Sequence, residues 1–123
     1  MNVISYPRTI FIVGGDTALS HSTQFLLETR NYKVNLVTKA EGFCFHTVCK
    51  EHDIVLLDLN AADPAAYKLL NRLMFAPKRP SIVVMTGSDK ILRPDDCFPG
   101  ERIRVLVQPV TPDALLRTVE MSG

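Results

Sequence analysis

The sequence has few of the features that identify secreted, membrane-spanning or nucleic-acid-binding proteins. It contains only three cysteines, an odd number for a disulfide framework, so we expect reduced thiols and a cytoplasmic location. No apolar run approaches the roughly 18 residues that span a bilayer, and the N-terminal MNVISYPR lacks the pattern of a secretory signal. The formal net charge of +1 gives no electrostatic basis for binding nucleic acid or an anionic membrane.

Length and hydrophobic content are both typical of one compact domain. The chain has 123 residues, of which 46% are hydrophobic. A chain of this size can bury most of the surface that its unfolded form exposes. We therefore expect a single domain over residues 1–123.

Short apolar runs alternate along the chain with segments of helical spacing. Strands are predicted at 9–13, 33–37, 53–57, 81–86 and 103–107, and helices at 16–30, 41–51, 64–76 and from 111 onward. The strand at 33–37 alternates polar and apolar residues, which is typical of an edge or half-buried strand. Alternation of strands and helices predicts an α/β fold with a parallel sheet, whose functional residues lie at the carboxyl ends of its strands.

Apolar residues at helical spacing define the predicted buried faces of three helices. They are Leu19, Phe25, Leu26 and Leu27 in the first helix, Ala66, Leu69, Leu70, Leu73 and Met74 in the third, and Leu115, Leu116 and Val119 in the last. The residues at the predicted strand ends are Gly14, Gly15, Asp16, Asp58, Thr86 and Gln108.

Three segments, DIVLLDLNAADPAAYKLL, SIVVMTG and RVLVQPVTPDALLRTV, occur in an order and at a spacing that resemble the receiver domains of two-component response regulators. The resemblance extends over nearly the whole chain. It implies a CheY-like, flavodoxin-like fold with a doubly wound, five-stranded parallel sheet. It also implies that the domain can be the N-terminal part of a longer regulator.

The resemblance places several residues at positions where the family performs phosphoryl transfer. Asp58 corresponds to the phosphoacceptor and Thr86 to the hydroxyl residue, whereas Gly14 and Gly15 replace the acid pair that binds Mg²⁺, and Gln108 replaces the lysine. A phosphoryl group in transit carries dense negative charge that a metal and a cation must stabilise. The sequence therefore resembles an atypical receiver, or pseudo-receiver, without a cofactor.

Two acidic residues have alternative interpretations. Asp16 follows the glycine pair and is favoured as the N-cap of the first helix; the alternative is that it replaces a missing metal ligand beside Asp58. For Asp58, we favour a structural, non-phosphorylated role, with slow phosphoacceptance as the alternative. Mg²⁺ binding is expected only if Asp16 substitutes for the absent acids.

The segment through which receivers usually report also departs from the family pattern. Val105 occupies the switch position, where the family often has an aromatic residue. Between Thr86 and Gln108, Pro94 and Pro99 disfavour a long helix, because a proline inside a helix costs about 3 kcal/mol or more. We therefore expect an irregular or shortened fourth helix.

Two weaker motifs are also present. Cys44, His46, Cys49 and His52 are candidate zinc ligands, but helical spacing places Cys44 on another face and no paired CxxC occurs. The Gly14–Gly15 pair lacks both the third glycine of a dinucleotide fingerprint and the lysine of a P-loop. We therefore expect neither a zinc site nor a nucleotide site, and no catalytic signature indicates an enzyme.

Three hypotheses follow. The leading one is a receiver-like module that acts, independently of phosphorylation, by contact with signalling proteins, an attached output domain or a second copy of itself. The second is a working phosphoreceiver that accepts a phosphoryl group on Asp58 from a histidine kinase. The third is a sensor of a small ligand or anion at the neutralised pocket between Gly14, Asp58 and Gln108.

Overall fold

The computed structural model describes residues 8–14, 18–59, 64–76, 80–87, 103–108 and 110–122. The described strands are β1 (Thr9–Val13), β2 (Lys33–Val37), β3 (Ile54–Asp58), β4 (Ser81–Thr86) and β5 (Ile103–Val107). The described helices are α1 (Ala18–Glu28), α2 (Phe45–Val48), α3 (Pro64–Phe75) and a C-terminal helix (Pro112–Met121). The predicted fourth helix, after Thr86, lies outside the described residues.

All five strands form one parallel sheet in the order β2-β1-β3-β4-β5. This order confirms the predicted doubly wound architecture and the edge position of β2. The interior strands β3 and β4 are buried along nearly their whole length, as expected of strands covered on both faces. β3 begins one residue later than predicted, because the backbone N–H of Asp53 donates to Lys50 O (3.0 Å) in a turn.

The sheet separates two hydrophobic cores. One core joins Phe11, Val55 and Leu57 to α2 and α3, and the other joins Ile12 and Leu56 to α1 and the C-terminal helix. The predicted buried residues of the last helix are confirmed, because Leu115, Leu116 and Val119 are all buried. In α3, four of the five predicted residues are buried and Met74 is half-buried.

The buried face of α1 differs from the prediction. Phe25 is 71% exposed and Leu19 39% exposed, whereas Ser20, Thr23 and Leu27 face the sheet. These three residues lie at i, i+3 and i+7, so they share one helical face. The prediction is therefore confirmed for Leu27, and Leu26 is half-buried against the same core, whereas Leu19 and Phe25 are exposed, contrary to the prediction.

Helix α2 is a single turn, shorter than the predicted 41–51. Gly42 adopts a left-handed backbone conformation (φ 84°) that interrupts the predicted helix near its start, a conformation that glycine adopts without a side-chain clash. Phe45 anchors the turn, being only 1% exposed. Cys49 at the C-terminal end has an extended backbone, so the helix stops there.

The C-terminal helix is capped at both ends. The Thr111 hydroxyl accepts from Ala114 N (3.1 Å) and Pro112 occupies the first turn, which satisfies a donor that a helix start leaves free. At the other end, Arg8 Nη1 donates to Ser122 O (2.6 Å) and Arg104 Nη2 to Met121 O (3.4 Å). Cations at a helix C-terminus are favoured by the helix dipole.

The start of β4 contains a buried hydroxyl without a hydrogen-bond partner. Ser81 is fully buried, and its Oγ has no partner among the described residues. Because an unsatisfied buried polar group is costly, Ser81→Ala is expected to raise the free energy of unfolding by about 1 kcal/mol. Urea denaturation measures the change. Ser22→Ala removes an exposed hydroxyl that already bonds Ala18 O (2.6 Å) and serves as the control; a net loss of stability in Ser81→Ala contradicts the prediction.

Candidate functional site

The carboxyl ends of the strands bring together four of the residues singled out from the sequence. Val13 pairs with Leu57, so Gly14 lies opposite Asp58, and Thr86 pairs with Val107, so Gln108 lies one position beyond Thr86. Backbone hydrogen bonds extend the sheet here, from Gly14 N to Val37 O (3.3 Å) and from Gln108 N to Thr86 O (2.8 Å). Gly15 and Asp16 lie outside the described residues.

Gly14 lies directly against Asp58. Its backbone has a φ of 153°, which side-chain-bearing residues rarely adopt. A Cβ atom at this position would lie 2.5 Å from Asp58 Cβ and 3.4 Å from Asp58 Cα. The space that a larger side chain would need at the end of β1 is therefore occupied by Asp58.

The other two side chains differ in burial. Thr86 is fully buried, whereas Asp58 and Gln108 are half-buried. The Gln108 amide nitrogen is itself buried and has no hydrogen-bond partner among the described residues. The described residues of the site thus contribute one carboxylate, one hydroxyl and one neutral amide donor.

These residues do not fit a Mg²⁺ ion. Hard cations take oxygen ligands, chiefly carboxylates, and among the described residues at these strand ends only Asp58 has a carboxylate. Across the described part of the chain, no group of three or more His, Cys, Asp or Glu residues could hold a metal. A Mg²⁺ site is therefore not built from the described residues.

The cysteine and histidine residues near α2 lie around a short turn. Cys44 is exposed at its start and Cys49 is half-buried at its end. Burial, with a smaller contribution from the negative charge of Asp53, raises the pKa of Cys49 to about 12. This thiol therefore stays protonated at neutral pH and is a poor metal ligand or nucleophile.

Val105, at the predicted switch position, is half-buried in β5 and pairs with Val84 of β4.

The described part of the chain contains no helix that is long and apolar enough to cross a membrane.

Comparison with known proteins identifies the fold. No family model and no curated protein matches the sequence, but solved structures do. A CheY-like receiver domain from Methylobacillus flagellatus has 22% identity and a TM-score of 0.70, covering 93% of this chain and 99% of its own. The chain has the fold of response-regulator receiver domains.

Two further solved receiver domains have a similar fold. A CheY-like receiver domain from Methanospirillum hungatei JF-1 has 23% identity and a TM-score of 0.69, covering 94% of this chain and 92% of its own. The receiver domain of a sensor histidine kinase from Pseudomonas aeruginosa PAO1, with a magnesium ion coordinated in its active site cleft, has 18% identity and a TM-score of 0.70, covering 94% and 96%. In each comparison, the shared fold extends over nearly the full length of this chain and of the solved structure.

Sequence reasoning missed the contact between Gly14 and Asp58 as well as the role of Asp53. The buried Asp53 carboxylate accepts from the backbone N–H of Thr9 (3.1 Å) and of Lys50 (2.9 Å). It therefore connects the starts of β1 and β3 to the α2–β3 turn. An acid at the start of an apolar strand was the available signal, because such an acid needs donors when it is buried.

Proposed function

We propose that the domain is an atypical receiver that acts by phosphorylation-independent contact with signalling proteins, an attached output domain or a second copy. In this proposal it is not an enzyme and needs no cofactor. The observation that carries it is the contact of Gly14 with Asp58, since an acidic side chain there would collide with the phosphoacceptor position. Without a metal and a cation, phosphoryl transfer lacks its main electrostatic stabilisation.

Gln108 supports the same proposal. A lysine at this position would offer a positive charge to a phosphoryl group, whereas an amide offers only a neutral donor. Phosphorylation of Asp58 would replace its single negative charge by a phosphoryl group of about −1.5 to −2, beside the neutral side chains of Thr86 and Gln108. We therefore favour a contact role over a working phosphoreceiver, in which Asp58 would accept the group from a histidine kinase and Asp16 would help to hold Mg²⁺.

The proposal predicts that Mg²⁺ and beryllium fluoride, a phosphoryl mimic, leave the pocket unchanged. In amide NMR spectra at millimolar MgCl₂, with and without beryllium fluoride, we expect no shifts at Gly14, Thr86 or Gln108. The P. aeruginosa receiver domain, which has magnesium in its cleft, is the positive control. Shifts that reach Val105 and vanish in Asp58→Asn would refute the proposal and support the phosphoreceiver.

One observation favours a second candidate, a sensor of a small ligand or anion. The buried Gln108 amide nitrogen has no partner among the described residues, so an acceptor atom of a ligand could satisfy it at little cost. A ligand that binds only the folded state raises stability by about 2.7 kcal/mol at 100 times its Kd. A thermal shift with phosphate, acetate or a nucleotide that is lost in Gln108→Leu would support this candidate over the first.

A further inference from the structure

The short helix α2 leaves part of the sheet uncovered. Between Val37 and Ile54, a stretch that the structure describes throughout, only Phe45–Val48 is helical. Four helical residues rise only about 6 Å, whereas the five residues of β2 extend about 16 Å. The helix is therefore too short to cover the length of the strand beside it.

The uncovered face forms a groove with two adjoining hollows of about 540 and 360 Å³. Phe11, Asn35 and Val48 line both hollows, so the two lie side by side. Phe11 packs on Phe43 with ring centroids 5.6 Å apart, while Val48 remains 49% exposed. We name this surface the β2 groove and define it by Phe11, Asn35 and Val48 together with the lysines Lys33, Lys39 and Lys50.

The rim of the β2 groove carries an excess of positive charge. All three of its lysines are exposed, and Glu41 is the one exposed acid among the described residues that line it. Asp53 also lines it, but its side chain is only 5% exposed and both of its oxygens accept backbone N–H groups. The charge that the groove presents to a partner is therefore positive.

The groove lies along a free sheet edge. β2 is the first strand in the sheet order and pairs only with β1 among the described strands. Val37 directs its carbonyl to Gly14 of the β1 side, so in a parallel ladder the backbone groups of Val34 and Leu36 point the other way. Such an edge can accept an extended peptide as an additional strand.

The lysines also discriminate between occupants of this edge. An antiparallel two-fold pairing of two copies through β2 would bring Lys33 of one copy towards Lys39 of the other, and lysines on edge strands oppose such pairing. An extended segment with acidic side chains would instead be attracted by the rim. Charge complementarity therefore favours an acidic partner over self-association at this edge.

We infer that the β2 groove binds an extended acidic segment of a partner protein by strand addition along β2. Apolar side chains of the segment contact the exposed side chain of Val48, and its acidic side chains lie against the rim lysines. This inference rests on the proposed contact function but assigns it to residues separate from the strand-end pocket. An inert pocket in the Mg²⁺ experiment and a failed peptide experiment are consequently distinguishable results.

The test uses a fluorescein-labelled peptide in which valine and glutamate take turns at every second position, with threonine between them, so that both side chains face the groove. Affinity is measured by anisotropy and the site by amide NMR. We expect shifts at Val34, Leu36 and Val48, and binding that weakens as salt is added, because exposed charges are screened. Lys33→Glu with Lys50→Glu is expected to weaken binding by about tenfold or more. A peptide with N-methylated amides, which cannot complete a strand pairing, is expected not to bind.

The matched control reverses the same number of charges on α3. Lys68 and Arg72 are exposed and line a neighbouring hollow, so Lys68→Glu with Arg72→Glu should leave the affinity within about twofold. Equal losses in both double variants would mean non-specific attraction and would overturn the inference. So would the absence of shifts along β2 in the wild-type protein, or tighter binding of a single-stranded oligonucleotide than of the peptide.

Discussion

Replacing Gly14 by alanine is expected to lower the free energy of unfolding by about 3 kcal/mol, a large effect for a single methyl group. Two costs add at this position. An L-residue is strained at the observed φ of 153°, and the new Cβ would lie 2.5 Å from Asp58 Cβ, which forces overpacking against a strand end. Urea denaturation monitored by circular dichroism measures the loss.

Gly42→Ala separates the two costs. Gly42 also has a positive φ, of 84°, but no atom lies within 4 Å of an added Cβ. Its replacement should therefore cost only the backbone strain, about 1 kcal/mol. If Gly14→Ala costs no more than Gly42→Ala, the close contact with Asp58 is absent in solution.

A double-mutant cycle tests the contact itself. Asp58→Gly removes the Cβ atom that Gly14→Ala would meet, so Gly14→Ala should cost less in that background, with a coupling energy of about 1–2 kcal/mol. Strict additivity would contradict the geometry. The same contact predicts that Gly14→Asp destabilises the fold and does not restore a Mg²⁺ site, which bears directly on the proposed contact function.

The strands and their order could be predicted because their signals are local and strong. Runs such as SIVVMT in β4 are apolar without interruption, and only a strand covered on both faces buries every residue of such a run. The start of the C-terminal helix could also be predicted from local signals, since Thr111 and Pro112 each have a specific role in a first helical turn.

The helix faces and the pocket required information that the sequence does not carry locally. In α1, small polar residues face the sheet and Phe25 faces solvent, because the angle at which a helix packs decides which stripe is buried. The replacement of an acid by Gly14 was visible in the sequence, but the direction of its missing Cβ toward Asp58 depends on a backbone angle that only the structure provides.

The β2 groove also had a signal in the sequence. The alternation of β2 places Val34 and Leu36 on one face and Lys33 and Asn35 on the other. A helix of ordinary length over the second face would bury those polar side chains, so their presence already indicated a face open to solvent. This alternation agrees with the predicted edge or half-buried strand, and the second helix is shorter than the predicted 41–51, which leaves this face open.

Asp53→Asn is expected to lower the free energy of unfolding by about 2–3 kcal/mol, although it changes the side-chain volume very little. The two Asp53 oxygens accept from Thr9 N (3.1 Å) and Lys50 N (2.9 Å). An asparagine has one acceptor oxygen, so its NH₂ group would face one of these donors and leave it unsatisfied. Urea denaturation gives the loss, and amide NMR should show the largest shifts at Thr9 and Lys50.

Asp113→Asn provides an isosteric control. Asp113 is exposed in the first turn of the C-terminal helix, where its charge interacts favourably with the helix dipole by only about 0.3–1 kcal/mol. Equal losses from the two substitutions would mean that Asp53 contributes through its charge alone and that its two hydrogen bonds do not matter. Because Lys50 belongs to the rim of the β2 groove, a loss specific to Asp53→Asn should also weaken the valine–glutamate peptide, which would connect the buried carboxylate to the inferred binding surface.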